Sequence, residues 1–482
     1  MKTNQITTMV IAILLLRLLF IFIMGPMPQD AYYFFYSQHP ALSYFDHPPM
    51  IAVILRLFTT IFGQNVIAIK LASSCVTLLT VILFYHAAKC FLGTEGATKA
   101  VLLLLSTFMV TILSLVATPD TPLLMYWVLS IYLLYQAIFK HKNSYWIWAG
   151  IAMGLAFDSK YTGIFLPAGL ILFLLFSNKY RQQLISKWLW LSAALFLVMV
   201  LPVFIWNLDN NFASFKFQGT SRMNSASEMH LQVKYFLGLL GHQSFIIIPV
   251  LLIAIFYFVF RILKKYKFNI LQLPPEQLFL LCFFLPIIGS FTFLSFVCWV
   301  KLNWLMPGYL TGIILISIYI PQKWVSRQVI FSLSLHILLA VELVFYPFPV
   351  HSDDTWYGWE QLAQQVTTLK KEHPDAFVFS ADGYKTSAEL NLLTTGFTYS
   401  QNILGQHALE FDYVNADLSK LKGKNAFYID SEPGFTNNEM GDQSPEYLLR
   451  YFKSVKELPP ILIRKNDRVV RKFLVYYCSD YR

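Results

Sequence analysis

The sequence predicts a polytopic α-helical membrane protein with about 11 transmembrane helices, a cytoplasmic N-terminus and a C-terminal soluble α/β domain on the non-cytoplasmic face. Three observations carry that prediction. Of 482 residues, 56% are hydrophobic and only 13% are charged, against about 25% charged in a soluble domain. Apolar runs near the roughly 20 residues needed to cross a bilayer recur as far as residue 347. The charges also divide there. Up to Pro347 the chain carries 22 Lys and Arg against 9 Asp and Glu, and the remainder carries 15 against 18. The basic excess therefore belongs to short loops between apolar runs, and no nucleic-acid partner is implied. Disorder, a fibrous repeat and an ordinary cytosolic enzyme are excluded. The five cysteines (Cys75, Cys90, Cys282, Cys298, Cys478) show no CxxC spacing, which speaks against a disulfide framework or a zinc–cysteine site.

The candidate spans lie at 6–24, 65–88, 98–117, 122–139, 145–158, 162–177, 188–206, 243–262, 276–298, 302–320 and 328–346. The 50–63 run contains Arg56 and is too short to span, so it reads as an interfacial or re-entrant helix. With the N-terminus inside, Lys89 and Lys99, Lys140 and Lys142, Lys179, Arg181 and Lys187, Arg261 to Lys267, and Lys323 and Arg327 all fall on the cytoplasmic side, as basic loops should. The loops at 25–64, 118–121, 158–162, 207–242 and 299–302 and the tail then share the other face. No small-residue cleavage site follows the first run, which reads as a retained helix. Residues 1–347 form the membrane domain, including a first outer loop at 25–64, and residues 348–482 an α/β domain. In that tail, Trp359 to Lys371 and Ser387 to Leu393 read as helices. Ala376 to Ser380, Ala426 to Asp430 and Lys472 to Tyr477 read as strands.

Ionisable groups near a membrane mark function. Asp30, Asp46, Asp120 and Asp158 gather at the outer rim with Lys160, Arg222, Lys301 and His242. Such a mixed rim suits a phosphorylated or sugar-like substrate. In the first loop, Asp30 precedes an aromatic run that includes Tyr32 and Tyr33. A carboxylate at that interface is suited to take a proton from an acceptor hydroxyl, beside rings that sugars stack on. Asp46-His47-Pro48-Pro49 forms a rigid turn pairing an acid with an imidazole. An interfacial aromatic belt explains the tyrosines but not Asp30, and a plain turn needs no histidine. Asp120 also suits a helix start.

The stretch from Gln29 to Met50 resembles the first outer loop of the family 39 glycosyltransferases, the dolichyl-phosphate-mannose-protein-mannosyltransferase-like group of the C superfamily. Its bacterial members include lipid A aminoarabinose and galacturonosyl transferases. Thr118 to Pro122, Ser159-Lys160-Tyr161-Thr162 and Lys301-Leu302-Asn303-Trp304 resemble further family motifs in order. Gly358-Trp359 and Glu389-Leu390 resemble its C-terminal domain. The family usually has Asp-Glu where this chain has Gln29-Asp30, so the acid has moved one place along.

The resemblance implies an inverting transfer from a polyprenyl-phosphate sugar to a lipid, glycan or protein hydroxyl at the outer face of a bacterial inner membrane. Asp30 is then the base. Lys160, Arg222, Lys301 and His47 bind the donor phosphate. Asp46, Asp120, Tyr32, Tyr33, Tyr161, His242, Gln243, Asn303 and Trp304 bind sugar or acceptor. No cofactor is required, and a divalent metal on Asp46, His47 and His242 stays open. The alternative is a transporter or flippase of lipid-linked sugars. It fits less well, because transporters tend to show repeated halves and midplane charges.

Overall fold

The computed structural model describes residue 13 and residues 17–221, 231–414, 417–437 and 446–482. Most of the expected 6–24 span, and Arg222, lie outside the described residues. A helical membrane region is followed by a C-terminal sheet domain. By length and composition five described helices can cross a membrane, or six if one bent pair counts as a single span.

The helices, in order, are α1 (Pro28–Gln38), α2 (Met50–Phe62), α3 (Val66–Leu105), α4 (Phe108–Leu115), α5 (Asp120–Ile138), α6 (Ser144–Ser159), α7 (Phe165–Phe176), α8 (Lys187–Asp209), α9 (Val233–Ile247), α10 (Pro249–Lys265), α11 (Pro275–Leu294), α12 (Met306–Ser317) and α13 (Gln322–Phe345). The expected boundary between 65–88 and 98–117 falls elsewhere. Helix α3 runs through it with a kink at Gly93, whose φ of 69° suits only a residue without Cβ. The break comes instead at Ser106–Thr107, where the buried Arg17 guanidinium donates to the carbonyl of Leu105. The expected 243–262 span is bent by 106° at Ile248. Pro249 follows, and a residue before proline is driven out of the helical region. Helices α8 and α13 turn exposed apolar side chains outward, among them Leu197, Leu201, Leu333 and Ile337, as a lipid-facing surface requires.

Helix α1 is largely aromatic, and Asp30 to Ser37 are buried without interruption. A helix of that kind must be covered on every side. The bundle covers one side through α2 and α3. The tail covers the other through α15 (Lys385–Leu393).

The tail begins with α14 (Trp359–Glu372) and builds a five-stranded sheet of order β2-β1-β3-β5-β4. The strands are β1 (Phe377–Phe379), β2 (Thr398–Tyr399), β3 (Ala426–Ser431), β4 (Phe452–Lys465) and β5 (Arg468–Tyr481). β1 pairs in parallel with β2 and β3, while β5 pairs antiparallel with β3 and β4. Two strands escape the sequence reading. β2 is two residues long. β4 contains Pro459-Pro460, which donate no hydrogen bond and sit where the register slips between Leu458 and Ile461; an edge strand tolerates this. Asn466 and Asp467, both with positive φ, close the β4–β5 hairpin, as two-residue turns of that hand demand. Leu362 and Val366 of α14 pack on Val378, Phe427 and Phe473.

Helix α15 carries Glu389 into the seam between tail and α1. Its carboxyl is fully buried, and neither oxygen has a hydrogen-bond partner among the described residues. Burial pushes it well above its ordinary value of 4.5, and the nearby Asp30 charge pushes the same way. The folded protein thus holds a proton that the unfolded chain releases above that value. Fewer protons on the unfolded chain mean stability that falls as pH rises. Glu389→Gln is expected to raise the melting temperature of the detergent-solubilised protein at about pH 8 and leave it unchanged near pH 4, because only the ionisable side chain carries this linkage. A parallel shift at both pH values would refute it.

Candidate active site at the seam of bundle and tail

Helix α1 opens with Pro28 in its first turn and Asp30 three residues in, a good helix start. Asp30 Oδ2 accepts the amide of Met27 at 2.9 Å. The same oxygen lies 2.6 Å from Lys70 Nζ of α3, and Oδ1 accepts the amide of Ala117 at 2.6 Å. Lys70 also donates to the carbonyl of Leu115 at 2.8 Å. Both side chains are wholly inaccessible. Asp30, expected as the base, is thus found as a closed tether. Three donors occupy its lone pairs, and no surface leads an acceptor hydroxyl to it.

The next stretch holds a second carboxylate, Asp46, which is buried but keeps 9% exposure where Asp30 keeps none. Asp46 Oδ1 accepts from Tyr36 Oη and, at 3.2 Å, from Tyr32 Oη. Gln218 donates to the carbonyl of Asp46 at 2.5 Å. The His47 and Tyr33 rings meet edge to face at 5.9 Å. Tyr384 of the tail stacks on Tyr32 at 4.2 Å. Gln29, at the position where the acid was displaced, donates to Asp354 of the tail at 3.1 Å.

A second group is built on the ends of α5 and α6. The Lys160 ammonium grips both oxygens of Asp120, at 2.8 and 2.9 Å. Asn303 donates to the same carboxylate at 2.5 Å. Lys160 is extended at the end of α6, and the chain turns at once, with the Gly163 amide donating to the Lys160 carbonyl at 2.8 Å. A Cβ at Gly163 would lie 2.5 Å from the Phe157 nitrogen, so only glycine permits this turn. Tyr161 Oη pairs with Ser214 Oγ at 2.6 Å and is near enough to Asp46 to feel its charge. Tyr161, the residue after Lys160, is thus the link between the two groups.

The remaining expected residues lie farther along the second group. Lys301 is exposed beside Asn303, and Trp304 packs on Phe291 at 5.1 Å. Gln243 donates to the Leu302 carbonyl and accepts from Tyr309. His242 packs edge-on against Trp299 at 5.0 Å. No group of three or more His, Cys, Asp or Glu side chains among the described residues is arranged to hold a metal ion.

Sequence reasoning missed four residues. Lys70 had a signal, since it is a lone charge in an apolar run. Tyr36 was visible in the aromatic run but undistinguished within it. Tyr384 and Glu410 come from the tail and had none. Glu410 is almost fully buried, and its carboxylate accepts the amide of Phe45 at 2.8 Å.

Comparison with known proteins agrees with this picture. Residues 46–206 match the dolichyl-phosphate-mannose-protein mannosyltransferase family, a stretch that holds Asp46, His47, Asp120, Lys160 and Tyr161. The chain is 25% identical over 299 residues to the lipid A galacturonosyltransferase RgtD of Rhizobium johnstonii. That match covers 61% of this chain and 60% of the relative's length. An uncharacterised protein of Aquifex aeolicus is 31% identical over 144 residues, 29% of either chain. The fold is that of ArnT from Cupriavidus metallidurans. The apo structure aligns with a TM-score of 0.61 at 15% identity, and the form bound to undecaprenyl phosphate with 0.61 at 14%, each over 98% of both chains. The resemblance to the family 39 glycosyltransferases of the C superfamily, drawn from the motifs, is borne out.

The tether can be told from a base by experiment. Removing one partner of a buried ion pair costs about 3–5 kcal/mol. Asp30→Asn and Lys70→Met are each expected to deplete the protein from membranes, and the double variant to recover part of the loss. Immunoblots and melting curves of the purified variants measure this. Normal abundance of Asp30→Asn together with lost activity would restore Asp30 as the base.

Proposed function

We propose that the protein is an inverting glycosyltransferase that moves a sugar from a polyprenyl-phosphate donor to a lipid, glycan or protein hydroxyl. The observation that carries this reading is the pair of groups linked by Tyr161: Asp46 under two tyrosine hydroxyls, and the fixed Lys160–Asp120–Asn303 group. The relative that is a lipid A galacturonosyltransferase, and the ArnT structure holding undecaprenyl phosphate, support the donor class and a lipid or glycan acceptor.

Asp46 serves as the base in place of Asp30. The Tyr32 and Tyr36 hydroxyls fix the orientation of its carboxylate. It takes the acceptor's proton as the acceptor oxygen attacks the anomeric carbon, and the bond from that carbon to the phosphate oxygen breaks on the opposite side. The lipid phosphate leaves as an anion, so fixed positive charge serves it better than an acid. Lys301 and His47 supply that charge, with Arg222 a further candidate, while Lys160, its charge shared with Asp120, contributes as a fixed donor. Tyr33, Tyr161, Asp120, Gln243, Asn303, Trp304 and His242 line the sugar and acceptor paths. No metal is needed for this chemistry. A divalent ion on Asp46 and His47 is a separate matter, which chelator treatment addresses.

The basic loops support a bacterial inner-membrane topology with the N-terminus inside and eleven crossings. Eleven is reached from the six long spans, with the bent pair as one, by adding the shorter α6, α7 and α12, counting α3 as two spans about Gly93, and adding the expected 6–24 run. The rim and the domain at 348–482 then face the periplasm. A flippase is disfavoured, because it has no use for a carboxylate poised at one face.

Asp46→Asn is expected to lower transfer by about 10²- to 10⁴-fold, the usual contribution of a positioned base, with protein abundance unchanged. Mass spectrometry of lipids and envelope glycans from deletion, wild-type and variant strains reads both donor and acceptor. Loss of one sugar with accumulation of its polyprenyl-phosphate donor is the expected outcome. Lipid-linked sugar trapped on the cytoplasmic leaflet would overturn the reading.

A further inference from the structure

Glu410 lies in the turn Leu409–Asp412 of the tail, 365 residues from the group it contacts. A buried carboxyl in a short turn ordinarily serves that turn. This one reaches out of it. Its Oε2 accepts the amide of Phe45, the residue immediately before Asp46, at 2.8 Å. Its own amide donates to Tyr32 Oη at 3.3 Å, the same hydroxyl that donates to Asp46. The flanking residues clasp the same point. The His407 ring meets Phe45 edge-on at 4.5 Å, and the Tyr413 ring stacks on it at 5.6 Å.

We infer that Glu410 is a positioning residue of the transfer reaction, holding the Asp46–His47 turn in its working geometry from the far end of the chain. This rests on the proposed function, in which Asp46 is the base. Glu410 grips the backbone on one side of Asp46 and, through Tyr32, the carboxylate on the other. Burial raises the Glu410 carboxyl well above its ordinary range. In either protonation state the side chain offers an oxygen that accepts from the Phe45 amide. A misplacement on the order of 1 Å at a reacting group costs about 10²-fold in rate, so a hold of this kind is visible in turnover.

The test uses the full-length protein in lipid nanodiscs, with donor lipid extracted from the source cells. Amide hydrogen exchange at Phe45 reports the hold, turnover reports its effect, and binding of undecaprenyl phosphate serves as the probe of the donor site. Glu410→Ala is expected to speed exchange at Phe45 and lower kcat, each by about 10-fold or more, the range of a hydrogen bond to a buried acid. Undecaprenyl phosphate affinity should stay within about 2-fold, since this contact does not touch the phosphate group. Glu410→Gln, which keeps an acceptor oxygen, should preserve both exchange and kcat. If Glu410→Ala does not accumulate, Glu410→Asp draws the oxygen back from Phe45 and should show the same pattern. Unchanged exchange, or faster exchange with unchanged kcat, overturns the inference. Asp46→Asn measured alongside separates the two readings. Retained transfer there removes Asp46 as the base, while Phe45 exchange still reports on Glu410 alone.

Discussion

The buried pair of Asp30 and Lys70 is the contact on which the rest depends. Neither charge touches water, and each is tolerable only because the other is present and backbone groups satisfy what remains. The pair ties the start of α1 to α3 and, through the Ala117 amide and the Leu115 carbonyl, to the strand-like link before α5. That link leads directly into Asp120. A single ionic contact thus fixes the relation between the helix bearing Tyr32 and Tyr36 and the helix bearing Asp120.

The site that results is assembled from distant parts of the chain. Asp46 comes from the first loop, Lys160 from the end of α6, Asn303 from the approach to α12, and Glu410 and Tyr384 from the tail. Each is held by something rigid: a bidentate ion pair, a ring stack, or a turn that only Gly163 permits. Preorganisation of this sort lets fixed dipoles act on developing charge without rearrangement. It suits a transfer in which the leaving phosphate needs stabilisation more than it needs a proton.

Much of this could be read before any coordinates. The collapse of charge density before residue 347 and the basic loops defined a membrane region, and the short aromatic and β-branched runs defined most of the tail's sheet. What escaped did so for physical reasons. Pro459-Pro460 disguises an edge strand. Gly93 kinks a helix where two were expected. The bend at Ile248 was legible in Pro249 and was overlooked. Asp30 was singled out correctly as an unusual acid, but a carboxylate's role depends on its partner. Lys70, forty residues away, was hidden as one cation in an apolar run. The contribution of Glu410 is a matter of contact across hundreds of residues, which no local pattern encodes.

The carboxyl ends of β1 and β3 meet where the strand order reverses, the place where open sheets of this kind usually take a ligand. Here α1 packs against α15 beside it, and Gln29 reaches Asp354 across the seam. This sets a clock on biogenesis. The loop bearing Asp46 is synthesised early, yet its last restraints come from residues made near the end, and closing so long a loop is slow. A nascent chain would hold the Asp46–His47 turn without the clasp that aligns it. The clasp on the Asp46 turn thus forms only once residues 407–413 have been made.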